Sequence, residues 1–89
     1  MQKADLSIQN TNGLHARPAT KFVELAQQFE CDVVLIKGEK EANAKSILSL
    51  MTLGIKANET VTIQADGSDE ESAIQALLDL VARNFDESV

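Results

Sequence analysis

The spacing of apolar residues switches repeatedly between two and about 3.6, and no segment keeps either period for long. That alternation confines the chain to short strands interleaved with short helices. Ala4, Leu6 and Ile8 alternate with Asp5, Ser7 and Gln9, a strand with one wet face. Asn10-Thr11-Asn12-Gly13 is turn chemistry. From Ala16 the period lengthens, and Ala19, Phe22, Val23, Ala26 and Phe29 fall at helical spacing. Pro18 belongs in a first helical turn, where its missing N–H costs nothing.

Cys31 to Lys37 is apolar and β-branched, a second strand. Lys37-Gly38-Glu39-Lys40 turns the chain into a short edge strand, Lys40 to Asn43. Ser46 is placed to cap a short helix that ends at Gly54. Thr60 to Ala65 alternates again, with Val61, Ile63 and Ala65 inward. Ser68-Asp69-Glu70-Glu71 matches the capping box S-x-x-E, and the helix behind it aligns Ile74, Leu77, Leu78 and Val81. The order is βαββαβα. Four strands with one polar face each predict an antiparallel sheet, and three helices cover its other face. The fold class is α+β, an open-faced sandwich, and residues 1–89 are expected to form one domain.

Composition narrows the function. The formal charge is −6 and the aromatics are three Phe with no Tyr or Trp, which argues against nucleic-acid binding. One Cys and one His make neither a disulfide framework nor a metal shell, so no cofactor is expected. The longest apolar run is Val33 to Ile36, too short to span a membrane, and the opening residues lack a signal-peptide core. A reducing cytosol suits the lone thiol. The charge is uneven: residues 66–89 carry seven acids against one base, whereas residues 1–65 carry seven of each. No acid lies between Leu6 and Val23, but Arg17 and Lys21 do, and so does His15.

His15 therefore precedes a helix start in a locally positive stretch. Unpaired N–H groups and a partial positive charge make such a start a ready phosphate site. Arg17 adds a planar fork of donors. An imidazole there can attack phosphorus and hold the phosphoryl group, and positive surroundings disfavour the imidazolium, leaving a nitrogen lone pair free near neutral pH. The bland alternative is a surface histidine that half-caps a helix. A Ser-His-Asp hydrolase lacks a nucleophile-elbow motif here.

Gly13-Leu14-His15-Ala16-Arg17-Pro18-Ala19-Thr20 resembles the phosphorylation-site signature of the HPr family, the small phosphocarriers of bacterial phosphotransferase systems. Lys45-Ser46-Ile47-Leu48-Ser49-Leu50-Met51-Thr52-Leu53-Gly54 resembles that family's regulatory-serine helix, and the element order is also that of the family. The resemblance implies that His15 accepts a phosphoryl group at Nδ1 from enzyme I and passes it to a histidine of an enzyme IIA. It implies that Arg17 balances charge, that the N–H groups of Ala16 and Arg17 cradle the phosphate, and that Pro18 fixes the turn. It further implies that Ser46 is a target of HPr kinase/phosphorylase. The nitrogen-related paralogue NPr shares both signatures; the intact Lys45-Ser46-Ile47 segment favours the sugar-type protein.

The helix after Ser46 holds Ile47, Leu48, Leu50, Met51 and Leu53, more apolar positions than one buried stripe needs. Leu50 and Leu53 are assigned to the core. Ile47, Leu48 and Met51 then form a docking patch near the His15 loop, with Thr20 and Lys21 beside it. Deep burial of the whole helix is the alternative. Lys21, Lys40 and Lys45 are expected to form a basic rim that steers acidic partners. The protein is expected to be a monomeric relay and not an autonomous enzyme. A purely regulatory module that binds partners without turnover at His15 shares the same patch. An acyl carrier protein, also small and acidic, needs an all-helical bundle and an Asp-Ser-Leu site, and the chain has neither pattern.

Overall fold

The structure, a computed structural model, describes residues 1–9, 13, 14, 16–83 and 85. Four strands, β1 (Gln2–Ser7), β2 (Asp32–Lys37), β3 (Lys40–Asn43) and β4 (Thr60–Asp66), form one sheet in the order β1-β4-β2-β3. Every neighbouring pair is antiparallel. Three helices, α1 (Ala16–Ala26), α2 (Ile47–Thr52) and α3 (Glu70–Ala82), pack on one face of it. The expected open-faced sandwich is the observed one, with β3 at an edge.

Strand register explains the layering. Leu6 pairs with Val61, Ile63 with both Ala4 and Leu35, and Leu35 with Ala42, so one inward face runs across all four strands. Asp5, Thr62, Ile36 and Glu41 line the opposite face, where the Thr62 hydroxyl donates to Asp5 (2.9 Å). Helix α3 lies over β1 and β4, α2 lies against β3, and α1 touches both helices. Phe22 of α1 and Phe85 beyond α3 are fully buried between these layers.

Element ends depart from the sequence pattern for local reasons. β1 stops at Ser7 because Ile8 leaves the ladder: its N–H donates to the Glu59 carbonyl, and its carbonyl accepts from Asn58. Helix α1 stops at Ala26 because the next turn tightens, Gln28 N–H bonding Leu25 and Phe29 N–H bonding Ala26. β2 starts one residue after Cys31, whose N–H is committed to Asp69 (2.9 Å). The capping box also shifts. Asp69, not Ser68, stands at the N-cap of α3, and its carboxylate binds the N–H groups of Glu30 (2.8 Å) and Cys31 instead of its own helix. Glu70 reaches back to the Gly67 N–H (3.1 Å), one half of a capping box set one residue earlier than Ser68 and Glu71 would place it, since Gly67 has no side chain to return the bond.

Candidate functional site

The loop entering α1 rests on the segment that follows α2. Gly13 is buried with φ +68°, a left-handed conformation that suits glycine. A Cβ there would meet the Ile55 carbonyl, Lys56 Cα (2.8 Å) and Ala57 N (2.9 Å), so backbone lies directly against backbone. Leu14 is buried, and its N–H donates to the Ile55 carbonyl (3.0 Å). His15 is the next residue in sequence and lies outside the described residues.

Helix α1 resumes at Ala16, which is exposed together with Arg17. No acid stands in its first turn, so the partial positive charge of its N–H groups is not offset locally. Pro18 is buried and supplies no N–H. The Thr20 hydroxyl donates to the Ala16 carbonyl (2.7 Å), and Thr20 is half-buried. Lys21 is half-buried, and its ammonium donates to the Phe85 carbonyl (2.8 Å).

The supporting segment is held from below. The Lys37 ammonium, at the end of β2, donates to the carbonyls of Leu53 (3.3 Å) and Gly54 (3.0 Å) and pairs with Glu59 (3.1 Å). The same Glu59 oxygen accepts the Lys56 N–H (2.6 Å). These contacts hold the Glu59 carboxyl below the usual carboxylate range, the Lys56 N–H first and Lys37 second.

Helix α2 separates the two assignments made for its apolar residues. Leu50 and Leu53 are buried, whereas Ile47 is 39%, Leu48 82% and Met51 41% exposed. Ser46 is its extended N-cap (φ −126°, ψ 120°), and the side-chain oxygen accepts the Ser49 N–H (3.3 Å). The preceding residue ties this cap to the end of α1: Lys45 Nζ donates to the Phe29 carbonyl (2.6 Å), and Gln27 Nε2 donates to the Lys45 carbonyl (3.1 Å). The basic rim is thus corrected. Lys40 is exposed, but Lys21 and Lys45 fold back onto backbone carbonyls, where helix ends leave acceptors without partners.

Cys31 packs as the small apolar residue expected of it, and is buried. Burial, and then the nearby Asp69 carboxylate, push its thiol up to about 11. Among the described residues no group of His, Cys, Asp or Glu is arranged to hold a metal, and no helix is long and apolar enough to cross a membrane. Sequence reasoning missed Lys37 and Glu59. They lie far apart in the chain, and neither stands in a motif.

Fold and junction together define a small α+β protein of the open-faced sandwich class, with an acid-free helix start beside a partly apolar helix. The chain belongs to the HPr family: residues 2–83 match the model described as the PTS HPr component phosphorylation site. It is 41% identical over 81 residues to the phosphocarrier protein HPr of Haemophilus influenzae, covering 91% of this chain and 95% of that one. It is 40% identical over 83 residues to the phosphocarrier protein NPr of Shewanella violacea, covering 93% and 91%. The crystal structure of HPr from Thermoanaerobacter tengcongensis superposes with a TM-score of 0.96 at 43% identity, over the full length of both chains. A crystal structure of an HPr dimer from that organism matches with a TM-score of 0.76, also at 43% identity, covering 98% and 100%. The protein is thus a phosphocarrier of the phosphotransferase system, as its two sequence signatures implied.

Proposed function

We propose that this protein carries a phosphoryl group on His15, taking it from phosphorylated enzyme I and passing it to a histidine of an enzyme IIA. The observation that carries the reading is the anchored loop. Gly13 and Leu14 are clamped to residues 55–57 immediately ahead of a helix start that has no acid and bears Arg17. Fixed donors at such a start stabilise charge without reorganising during transfer.

In the forward step the neutral imidazole attacks phosphorus through Nδ1, with its proton kept on Nε2. The new N–P bond forms as the phosphorus bond to the enzyme I histidine breaks, and that histidine leaves with the electron pair. The N–H groups of Ala16 and Arg17 and the Arg17 guanidinium receive the added negative charge. Onward transfer to enzyme IIA repeats the exchange. The partners supply the rest of each site, so the protein is a carrier and not a catalyst of its own.

Ile47, Leu48 and Met51 serve as the docking surface, with Thr20 and Lys21 beside it. Their exposure on α2 supports this role, since apolar side chains held in water are favourable only when a partner covers them. Ser46 is the site of regulatory phosphorylation, which sets negative charge beside that patch. The protein works as a monomer in the cytoplasm, in the sugar branch; the dimeric relative makes size-exclusion chromatography the check on the first of these.

The test is incubation with phosphoenolpyruvate and enzyme I. A label that is lost in acid, survives base and is absent from His15→Ala is expected. An acid-stable label, or one retained by His15→Ala, would refute the reading. A regulatory module without turnover would leave sugar uptake intact in the His15→Ala strain.

A further inference from the structure

We propose that Lys37 and Glu59 are positioning residues for His15, acting through residues 53–57. The proposal rests on His15 being the phosphoryl acceptor, and it assigns to that site a support that neither signature contains.

The loop before His15 takes its place from a segment outside every helix and strand. Leu14 hangs from the Ile55 carbonyl, and Gly13 lies flat against residues 55–57. Residues 53–59 follow the end of α2 and precede β4, so neither a helix nor a sheet ladder fixes them. Leu53 and Ile55 anchor them in the core and the Asn58 N–H bonds the Ile8 carbonyl, and one polar clip adds to these. The Lys37 ammonium holds the carbonyls of Leu53 and Gly54 on one side of Ile55. It also holds Glu59, whose same oxygen takes the Lys56 N–H on the other side. The Glu59 N–H closes the turn onto the Lys56 carbonyl (3.1 Å), and the Glu59 carbonyl accepts from Ile8 at the end of β1 (3.1 Å). Ile55, the residue that bears Leu14, is therefore bracketed by the contacts of two charged groups, Lys37 at the end of β2 and Glu59 just ahead of β4.

The ion pair leaves 29% of the Lys37 side chain and 33% of the Glu59 side chain exposed, and a single pair with that access to solvent contributes modestly. Its importance lies in the other three bonds. Two satisfy carbonyls that a helix end leaves without partners, and one satisfies the Lys56 N–H in a turn. Their combined effect is geometric. Without Lys37 the Leu53–Gly54 turn is released, and the floor under Gly13 and Leu14 moves with it. Phosphoryl transfer depends steeply on placement, so a shift too small to unfold the chain still alters the chemistry.

Lys37→Gln and Glu59→Gln, with Lys37→Arg as the conservative variant, test this at a temperature where all are folded by circular dichroism. The readouts are the pH titration of the His15 ring by NMR and kcat/KM for labelling by enzyme I. The proposal expects a fall of about tenfold in kcat/KM and a displaced imidazole titration in Lys37→Gln. Recovery to near wild type is expected in Lys37→Arg, whose guanidinium can keep the carbonyl bonds. Lower melting temperature with unchanged labelling and unchanged titration would overturn it, since that is what a mere fold brace gives. If Lys37→Gln does not fold, Glu59→Gln makes the same test from the other end of the clip. If even the wild type takes no label, the carrier reading has failed and not this one, because the His15 titration still reports whether Lys37 and Glu59 set its surroundings.

Discussion

Replacing Gly13 with alanine should damage the protein far more than the same change at Gly38. Two effects add. The backbone stands at φ +68°, a conformation that costs an L-residue roughly 1–2 kcal/mol. The new Cβ would also press on the Ile55 carbonyl, and would lie 2.8 Å from Lys56 Cα and 2.9 Å from Ala57 N. All three are backbone atoms, which cannot swing aside as a side-chain tip can, and forcing such contacts costs about 1–3 kcal/mol. The sum is about 3 kcal/mol, which for a domain of this size lowers the melting temperature by roughly 12–24 °C. Gly38→Ala separates the two effects. Gly38 has φ +61°, but nothing lies within 4 Å of its would-be Cβ. It should lose only the conformational part, about 1 kcal/mol or roughly 4–8 °C. The entropy that alanine removes from the unfolded chain is common to both variants and cancels in the difference. Thermal melts followed by circular dichroism decide the matter. Equal shifts for the two variants would show that residues 55–57 can yield without penalty, and the account of a rigid floor beneath the His15 loop would be wrong.

Four further outcomes are expected. Leu48→Ser should change stability by less than about 0.5 kcal/mol in urea titration, yet reduce enzyme I-dependent labelling; Leu50→Ala, on the same helix but buried, should lose about 2–5 kcal/mol. The Cys31 thiol, held up to about 11 by burial and by Asp69, should resist Ellman's reagent at pH 8 until urea unfolds the chain. Because its folded value is raised, its stabilising contribution is intact below the ordinary thiol range and is lost as pH climbs toward that value, which melts across an alkaline series would show. Asp69 is depressed by the Glu30 N–H above all, so its contribution is present above the ordinary carboxylate range and lost as pH falls through it. Asp69→Ala should therefore melt below wild type at pH 7, with the gap closing in acid. Ser46→Asp should keep the fold while slowing labelling of His15; equal initial rates in the two proteins would remove the regulatory role.

Element order was legible because each switch of apolar period is local. Alternation over Thr60 to Ala65 and helical spacing from Ala19 to Ala26 need no knowledge of the rest of the chain. The orientation of α2 was legible for a related reason: five apolar residues on so short a helix cannot all face inward, and Leu50 and Leu53 are the buried ones. What stayed hidden was the destination of long polar side chains. Asp69 looks like part of a capping box, yet its oxygens meet Glu30 and Cys31, 39 and 38 residues away. Lys21 and Lys45 look like solvated charges of a basic rim, yet each reaches a backbone carbonyl distant in sequence. Periodicity reports which face a residue occupies. It carries no information on which distant carbonyl that face will meet, so the support of the candidate site by Lys37 and Glu59 appears only in three dimensions.

The placement of those lysines also bears on why the start of α1 is left positive. None of the three helices has a basic residue in its own last turn. Cations from elsewhere attend the chain just past each helix instead: Lys45 at Phe29 beyond α1, Lys37 at Leu53 and Gly54 beyond α2, and Lys21 at Phe85 beyond α3. At the opposite poles the treatment is unequal. Helix α3 opens on Glu70 and Glu71, which offset its partial positive charge, whereas α1 opens on Ala16 and Arg17 with no acid in its first turn. In a chain of net charge −6, an acid-free start next to an arginine is a local exception to the protein's own field. In the proposed function, a phosphoryl dianion would be repelled by the acidic surface elsewhere and at α1 would meet amide dipoles and a guanidinium. The seven basic residues outside the C-terminal stretch are too few to make a broad positive surface, and with three of them committed to carbonyls beyond helix ends, the proposed function leaves the work of attracting phosphate to the start of α1 and Arg17.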